Sequence, residues 1–216
     1  MHDWPPTSLP EDMVLINTDP ASGVVKRRQL STRVLAGAVL LELLLHGAIT
    51  VDTKQIAGVR PLALGDPFAE SILAEISDAR PSRSSLRLTR WVDKASRKVD
   101  RAYLDRLTAR GLLYARRRRV LGVFPSTRWT TVDLGWPMHL AARVDHAVRP
   151  EAYGPPGAYD LYLTALVDVY GLSRRLYPGR DNRHLRRRIS DLSRTNLIVN
   201  AVRQVLAADA RRRSDD

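Results

Sequence analysis

The stretch STRVLAGAVLLELLLHG, Ser31 to Gly47, constrains the fold more than any other part of the chain. Wound as a helix it is apolar on nearly every side, interrupted only by Arg33, Glu42 and His46. A helix apolar all round has no face to offer water, so it belongs at the centre of a packed body. Ser31 or Thr32 is the expected N-cap and Gly47 the expected stop. The apolar run Val34 to Leu45 is broken by Gly37 and Glu42 and falls short of the roughly 20 residues that a bilayer span requires, so a buried helix is expected rather than an anchor. At 216 residues the chain is long enough to bury that helix inside one domain.

The segments around it read mostly as helices. LPEDMVLINTDPASGVV is a capped or extended opening with a turn at Asp19 to Gly23, and the alternating AITVD is a short strand. LALGDPFAESILAEISDARP is a Gly-Asp-Pro turn and a helix that stops before Pro81. RWVDKASRKVDRAYLDRLTARGLLY reads as one helix, with Val99, Tyr103 and Leu107 recurring every four residues and Gly111 at the C-cap. Arg97 and Arg101, also four apart, are expected together on its polar face. LLYARRRRVLGVFPSTRWTTVD then switches to extended character and reads as a hairpin. LGWPMHLAARVDHAVRP is a further helix, EAYGPPGAY a loop, and DLYLTALVDVYGLSRRLYP an apolar helix ending before Pro178. A last basic helix, NRHLRRRISDLSRTNLIVNAVRQVLAADA, leads into a frayed tail, RRRSDD. The expected fold is mainly α: a single globular helical domain with a projecting β-hairpin and one other short β element.

Charge is the first functional signal. The formal net charge is +12, but residues 1–79 are net −4 while residues 80–119 are net +11 and residues 173–213 net +9. Two basic blocks of that size attract polyanions: an anionic membrane, nucleic acid or an acidic protein. Arginine outnumbers lysine 31 to 4, and its planar fork suits bidentate contact with phosphate. Catalytic signals are missing. There is no cysteine, and no glycine cluster forms a phosphate-binding loop or dinucleotide fingerprint. His2, His46, His139, His146 and His184 lack ligand spacing, and Ser85, Ser96 and Ser126 lack a local partner. Glu42 is expected to be a core carboxylate paired with an arginine. A non-enzymatic protein is expected, with no catalytic residue, no metal and no cofactor. MHDWPPTSLPEDM lacks a basic start followed by an apolar run, which points to the cytoplasm.

RRRRVLGVFPSTRW, Arg116 to Trp129, sets four arginines against Val120, Leu121, Val123 and Phe124. The apolar residues either complete the core beneath a solvated basic strand or meet a partner surface; physics permits an anionic leaflet as that surface, since each cation near it contributes about 1 kcal/mol and apolar burial about 25 cal/mol per Å². The same stretch, following a helix and a glycine, also looks like the wing of a winged-helix nucleic-acid binder, which stands as the alternative. Against it, the hairpin is apolar for a wing, and the preceding segment lacks a polar recognition helix; nucleic acid is the less favoured partner.

LPEDMVLINTDPASG, LAGAVLLELLLHGAITVD, GDPFAESILAEI, DRLTARGLL, RRRRVLGVFPSTRWTTVD, YLTALVDVYGLSRRLYP and VNAVRQVLAA, in that order, resemble the successive blocks of the Golgi phosphoprotein 3 family, particularly its shorter actinobacterial members. The resemblance covers residues 9–208, leaving 1–8 and 209–216 as flexible termini. It implies a helical domain whose hairpin, Arg116 to Thr127, serves membrane contact and self-association. It also implies a peripheral membrane adaptor that binds phosphatidylinositol 4-phosphate and holds client proteins, glycosyltransferases in eukaryotic members. A Golgi location follows only for a eukaryotic source; otherwise the expectation is a cytoplasmic protein reversibly attached to a membrane surface. Of the family's headgroup positions, Arg27 stands where a tryptophan is usual, and Ala36 and Asp100 where arginines are usual, so only Arg97 matches. Arg101, with Arg27, Arg28 and Arg33, is expected to supply the missing charge, which favours general anionic-lipid binding over selective 4-phosphate recognition.

Overall fold

In the computed structural model, which describes residues 4–26, 31–79, 86–120 and 124–214, the apolar segment forms α2 (Thr32–Leu45). Ten of its fourteen residues are buried, and α1 (Leu9–Leu15), α4 (Leu88–Ala95), α8 (Ala158–Val169) and α11 (Leu197–Ser214) pack against it. Each large apolar side chain buried there contributes roughly 1.5–3 kcal/mol relative to exposure. Ser31 caps the helix, its hydroxyl accepting from the Val34 amide at 3.4 Å, and Gly47 ends it at φ 67°. A Cβ at Gly37 would run into Val202, so glycine is what lets α11 approach so closely.

The opening segment is helical, and all seven residues of α1 are buried, Glu11 and Asp12 included. Carboxylates out of water need partners, and each has them. Glu11 accepts from Arg106 Nε at 3.0 Å and Arg110 Nη1 at 2.6 Å, both from the end of α5 (Val99–Ala109) and its cap, and from the Ser8 amide at 2.9 Å. Asp12 accepts from Thr7 Oγ1 at 2.5 Å and Tyr159 Oη at 2.7 Å. Glu42, expected against an arginine, instead accepts from the Leu9 amide at 2.9 Å and pairs with His46 Nε2 at 3.0 Å. A helix start needs donors satisfied, and the carboxylate reaches one there. Burial pushes the Asp12 carboxyl up to about 6, against the pull of its two hydroxyl partners, and raises Glu42 and Tyr159 as well.

Asp66 caps α3 (Pro67–Ser77) through hydrogen bonds from Phe68 and Ala69 amides at 3.1 Å and accepts from Tyr103 Oη at 2.9 Å, which ties the expected Gly-Asp-Pro turn to α5. Three expected single helices are broken. Ser96 Oγ donates to the Asp93 carbonyl at 2.7 Å, and the chain turns there, separating α4 from α5. Gly171, at φ 81°, separates α8 from α9 (Ser173–Leu176). Asn196 caps α11 through the Val199 amide at 3.0 Å and separates it from α10 (Arg183–Arg194). The expected loop after α6 (Trp136–Val148) contains a turn of helix, α7 (Pro150–Tyr153). Near the termini, Trp4 packs on Trp136 with ring centroids 4.5 Å apart, and α11 stays helical through Ser214.

Among the described residues two antiparallel hairpins complete the fold. β1 (Ile49–Asp52) pairs with β2 (Gln55–Val59) across a Thr53–Lys54 turn. β3 (Leu113–Val120) pairs with β4 (Phe124–Thr131), in register from Leu113↔Thr131 to Val120↔Phe124. The root of this second hairpin is held by residues 23–25, where Val25 donates to the Trp129 carbonyl and Thr131 to that of Gly23. The architecture is mainly α with a β-hairpin, and no helix among the described residues is long and apolar enough to cross a membrane.

The Asp12 shift carries a pH dependence of known sign. Its folded value, about 6, lies above the ordinary 3.8, so between these limits the native state holds a proton that the unfolded chain releases. Stability from this group is therefore greatest below pH 4 and falls as pH rises to 6, by about 2–3 kcal/mol. Urea unfolding of Asp12→Asn across that window is expected to show the variant gaining on the wild type as pH rises; a constant difference would refute the assignment.

Candidate functional site

The residues expected to hold a headgroup are divided by the break between α4 and α5. Arg97 lies in the connecting turn and Arg101 in the first turn of α5, so they do not share a helix face as expected. They nonetheless line one groove of about 730 Å³ between that turn and α3, joined by Lys94 and Lys98. Glu75, Asp100 and Asp105 line it too, and nearly every cation has a carboxylate at hand. Lys94 Nζ is 2.6 Å from Glu75, Arg101 Nε 3.5 Å from Asp105, and Arg97 Nη2 3.8 Å from Asp93. The Arg97 and Arg101 side chains are 74% and 82% exposed, and ion pairs in water contribute under about 1 kcal/mol. An arriving anion can therefore take either arginine from its partner at little cost.

Arg33 is in a different situation. Its Nη1 is 2.5 Å from Asp93 Oδ1 and 2.5 Å from Ser96 Oγ, and its Nε is 2.9 Å from Asp209 Oδ2. Burial alone would favour the neutral guanidine, but Asp209 and Asp93 outweigh it and hold Arg33 charged more firmly than usual. The side chain clasps α2, α4 and α11 together. Asp93 also faces Arg97, so the clasp and the groove share a carboxylate. Arg27 and Arg28 lie outside the described residues.

The hairpin is the second element. Arg116 and Arg117 are exposed on β3, and the register sets Arg116 directly opposite Arg128. Buried Leu113 and Trp129 belong to the alternating set that faces the body, while exposed Tyr114, Arg116 and Arg128 belong to the outer one. The ladder continues through Arg118↔Ser126, Arg119↔Pro125 and Val120↔Phe124; Leu121 and Val123 lie outside the described residues. Like charges directly opposite in a sheet repel, and neither Arg116 nor Arg128 has an acidic partner among the described residues. Past β4, Val132, Leu134 and Met138 are exposed.

Sequence reasoning missed Lys94 and Lys98 in the groove and Arg128 on the hairpin. Lys98 adjoins Arg97, a signal in plain view, whereas Arg128 needed the strand register. Among the described histidines, His46 pairs with Glu42, His139 stacks on Trp4, and His146 Nδ1 is 3.1 Å from Asp160. No group of three or more metal-ligating side chains occurs among the described residues.

A family model, Golgi phosphoprotein 3 (GPP34), matches residues 9–208. Among curated proteins none matches the chain.

The clasp and the groove respond differently to truncation. Arg33→Ala takes from Asp93 and Asp209 the cation they share in a partly buried site and is expected to cost about 2 kcal/mol or more, whereas Arg97→Ala and Arg101→Ala stay within about 0.5 kcal/mol. Urea unfolding of the three variants distinguishes them; an equal cost at all three positions would contradict the division.

Proposed function

The chain belongs to the Golgi phosphoprotein 3 family over residues 9–208, and on that premise we propose that it is a non-enzymatic peripheral membrane adaptor that docks on anionic lipid headgroups. The observation that carries this reading is the outer face of the hairpin, where Arg116 and Arg128 stand opposed with no carboxylate between them among the described residues. Such a pair is unfavourable in water alone and becomes favourable when a phosphate sits between the two forks. Exposed Tyr114 on the same face supplies an amphipathic ring of the kind that sits at headgroup depth. Arg97 and Arg101, with Lys98 between them, form the second contact, and Arg33 acts on it indirectly by fixing Asp93.

The near-balance of charge in the groove favours general attraction to acidic headgroups over selection of one phosphorylation pattern. Phosphatidylinositol 4-phosphate is then one acceptable headgroup among several. Self-association through the hairpin and capture of client proteins such as glycosyltransferases are the adaptor functions that this attachment would serve.

Vesicle co-sedimentation tests the reading through variants. Each cation near an acidic leaflet contributes about 1 kcal/mol, so Arg116→Ala with Arg128→Ala is expected to weaken binding to acidic vesicles roughly thirtyfold, and Arg97→Ala with Arg101→Ala comparably. Binding by both double variants equal to the wild type would sink the proposal.

A further inference from the structure

A second cleft, of about 650 Å³, lies at the other end of α4 from Arg97, about 12 Å away by helix rise. One wall is the β1–β2 turn together with the start of α4. The other is a face of α11, on which Leu197, Asn200, Ala201 and Gln204 recur at helical spacing. Backbone bonds fix the first wall: Leu88 N donates to the Lys54 carbonyl at 2.9 Å, Ile56 N to that of Leu86 at 2.9 Å, and Gln55 bridges to Arg87. Thr53 completes it at φ 55°, a left-handed conformation that costs a threonine about 1 kcal/mol or more and is held by that frame.

The chemistry of this cleft differs from that of the groove beside Arg97. Its lining carries Lys54, Arg87 and Arg203 and no carboxylate. Arg203 is occupied, its Nη2 2.6 Å from Asp168. Lys54 and Arg87, both exposed, have no side-chain partner among the described residues. Gln55, Thr89 and Gln204 add neutral donors and acceptors around them, and Leu88 and Ala201 supply a buried apolar floor. The first turn of α4 opens here with no acidic residue and no side-chain cap. Two uncompensated cations suit one phosphate. The remaining space and the neutral polar groups exceed what a bare phosphate needs and match the size of a small-molecule site.

We propose that this cleft is a second anion site, one that takes a phosphate monoester carried on a hydroxylated ring. Lys54 and Arg87 grip the phosphate, while Gln55, Thr89 and Gln204 exchange hydrogen bonds with ring hydroxyls above Leu88 and Ala201. The ring is presented by a lipid headgroup or by a soluble sugar phosphate; the contacts are the same. The site is independent of the hairpin and of Arg97 and Arg101.

Titration calorimetry of the full chain with glucose 6-phosphate, inorganic phosphate and glucose tests it. Glucose 6-phosphate is expected to saturate with a Kd below about 1 mM, inorganic phosphate to bind more weakly, and glucose not to bind. Lys54→Ala with Arg87→Ala is expected to weaken the sugar phosphate at least roughly tenfold with unchanged circular dichroism, while Arg116→Ala with Arg128→Ala leaves it intact. Absence of saturation by about 10 mM, or an unchanged Kd in the Lys54 and Arg87 variant, would overturn the site. Inorganic phosphate binding as tightly as the sugar phosphate would overturn the ring. Phosphatidylcholine vesicles with and without phosphatidylinositol 4-phosphate identify the source. A headgroup-dependent loss in the Lys54 and Arg87 variant assigns the lipid, and a loss confined to glucose 6-phosphate assigns the soluble ligand.

Discussion

Glu11, with no exposed surface at all, sits between two arginines, and much of the fold answers to that fact. A carboxylate taken out of water costs several kcal/mol unless it is paired, and removing one member of such a set leaves the others exposed to that cost, about 3–5 kcal/mol. Arg106 and Arg110 are one helical turn apart, so gripping Glu11 fixes the last turn of α5 against α1. Gly111 follows at φ 72°, and β3 begins at Leu113. The direction in which the hairpin leaves the body is therefore tied to one buried acid near the start of the chain.

This division explains how a net charge of +12 coexists with a packed interior. Many of the arginines are committed to structure. Arg33 clasps three helices, Arg143 holds Asp160 at 2.8 Å, Arg203 holds Asp168, and Arg175 reaches the Ile16 carbonyl. Others face outward with weak partners or none among the described residues and are free to meet an anion, among them Arg97, Arg101, Arg116, Arg128 and Arg87, the last beside Lys54. Charge density read along the chain does not separate the two groups, since Arg106 and Arg110 belong to the same basic block as Arg97 and Arg101.

What the sequence disclosed was set by how local the signal was. The apolar circumference of α2, its Ser31 cap, the Gly47 stop, the Gly-Asp-Pro start of α3 and the Gly111 end of α5 depend on neighbours within a few residues, and each was legible. Gly171 and Asn196 carried equally local signals for the breaks at α8 and α10, but the surrounding helical pattern masked them. Ser96 broke a helix through a bond to the Asp93 carbonyl, competing with the backbone ladder in a way that composition alone does not betray. The helical burial of LPEDMVL was the least legible feature, because two adjacent acids suggest solvent and their partners lie far away in sequence. Glu11 finds Arg106 across 95 residues, and Asp12 finds Tyr159 across 147. The candidate site follows the same rule. Arg97 is marked by the family resemblance and Arg101 by its spacing from Arg97 and the basic excess around it; they come together in one groove by a route other than the one that spacing implies, whereas Arg128 requires the register of β3 with β4.

The most direct measurement is flotation of the intact chain with phosphatidylcholine vesicles, with and without acidic lipid, at near-physiological salt and with duplex DNA as competitor. Attachment through exposed arginines predicts flotation only with acidic vesicles, persisting in the presence of DNA. Equal flotation with neutral vesicles, or loss of the protein to DNA, would contradict it.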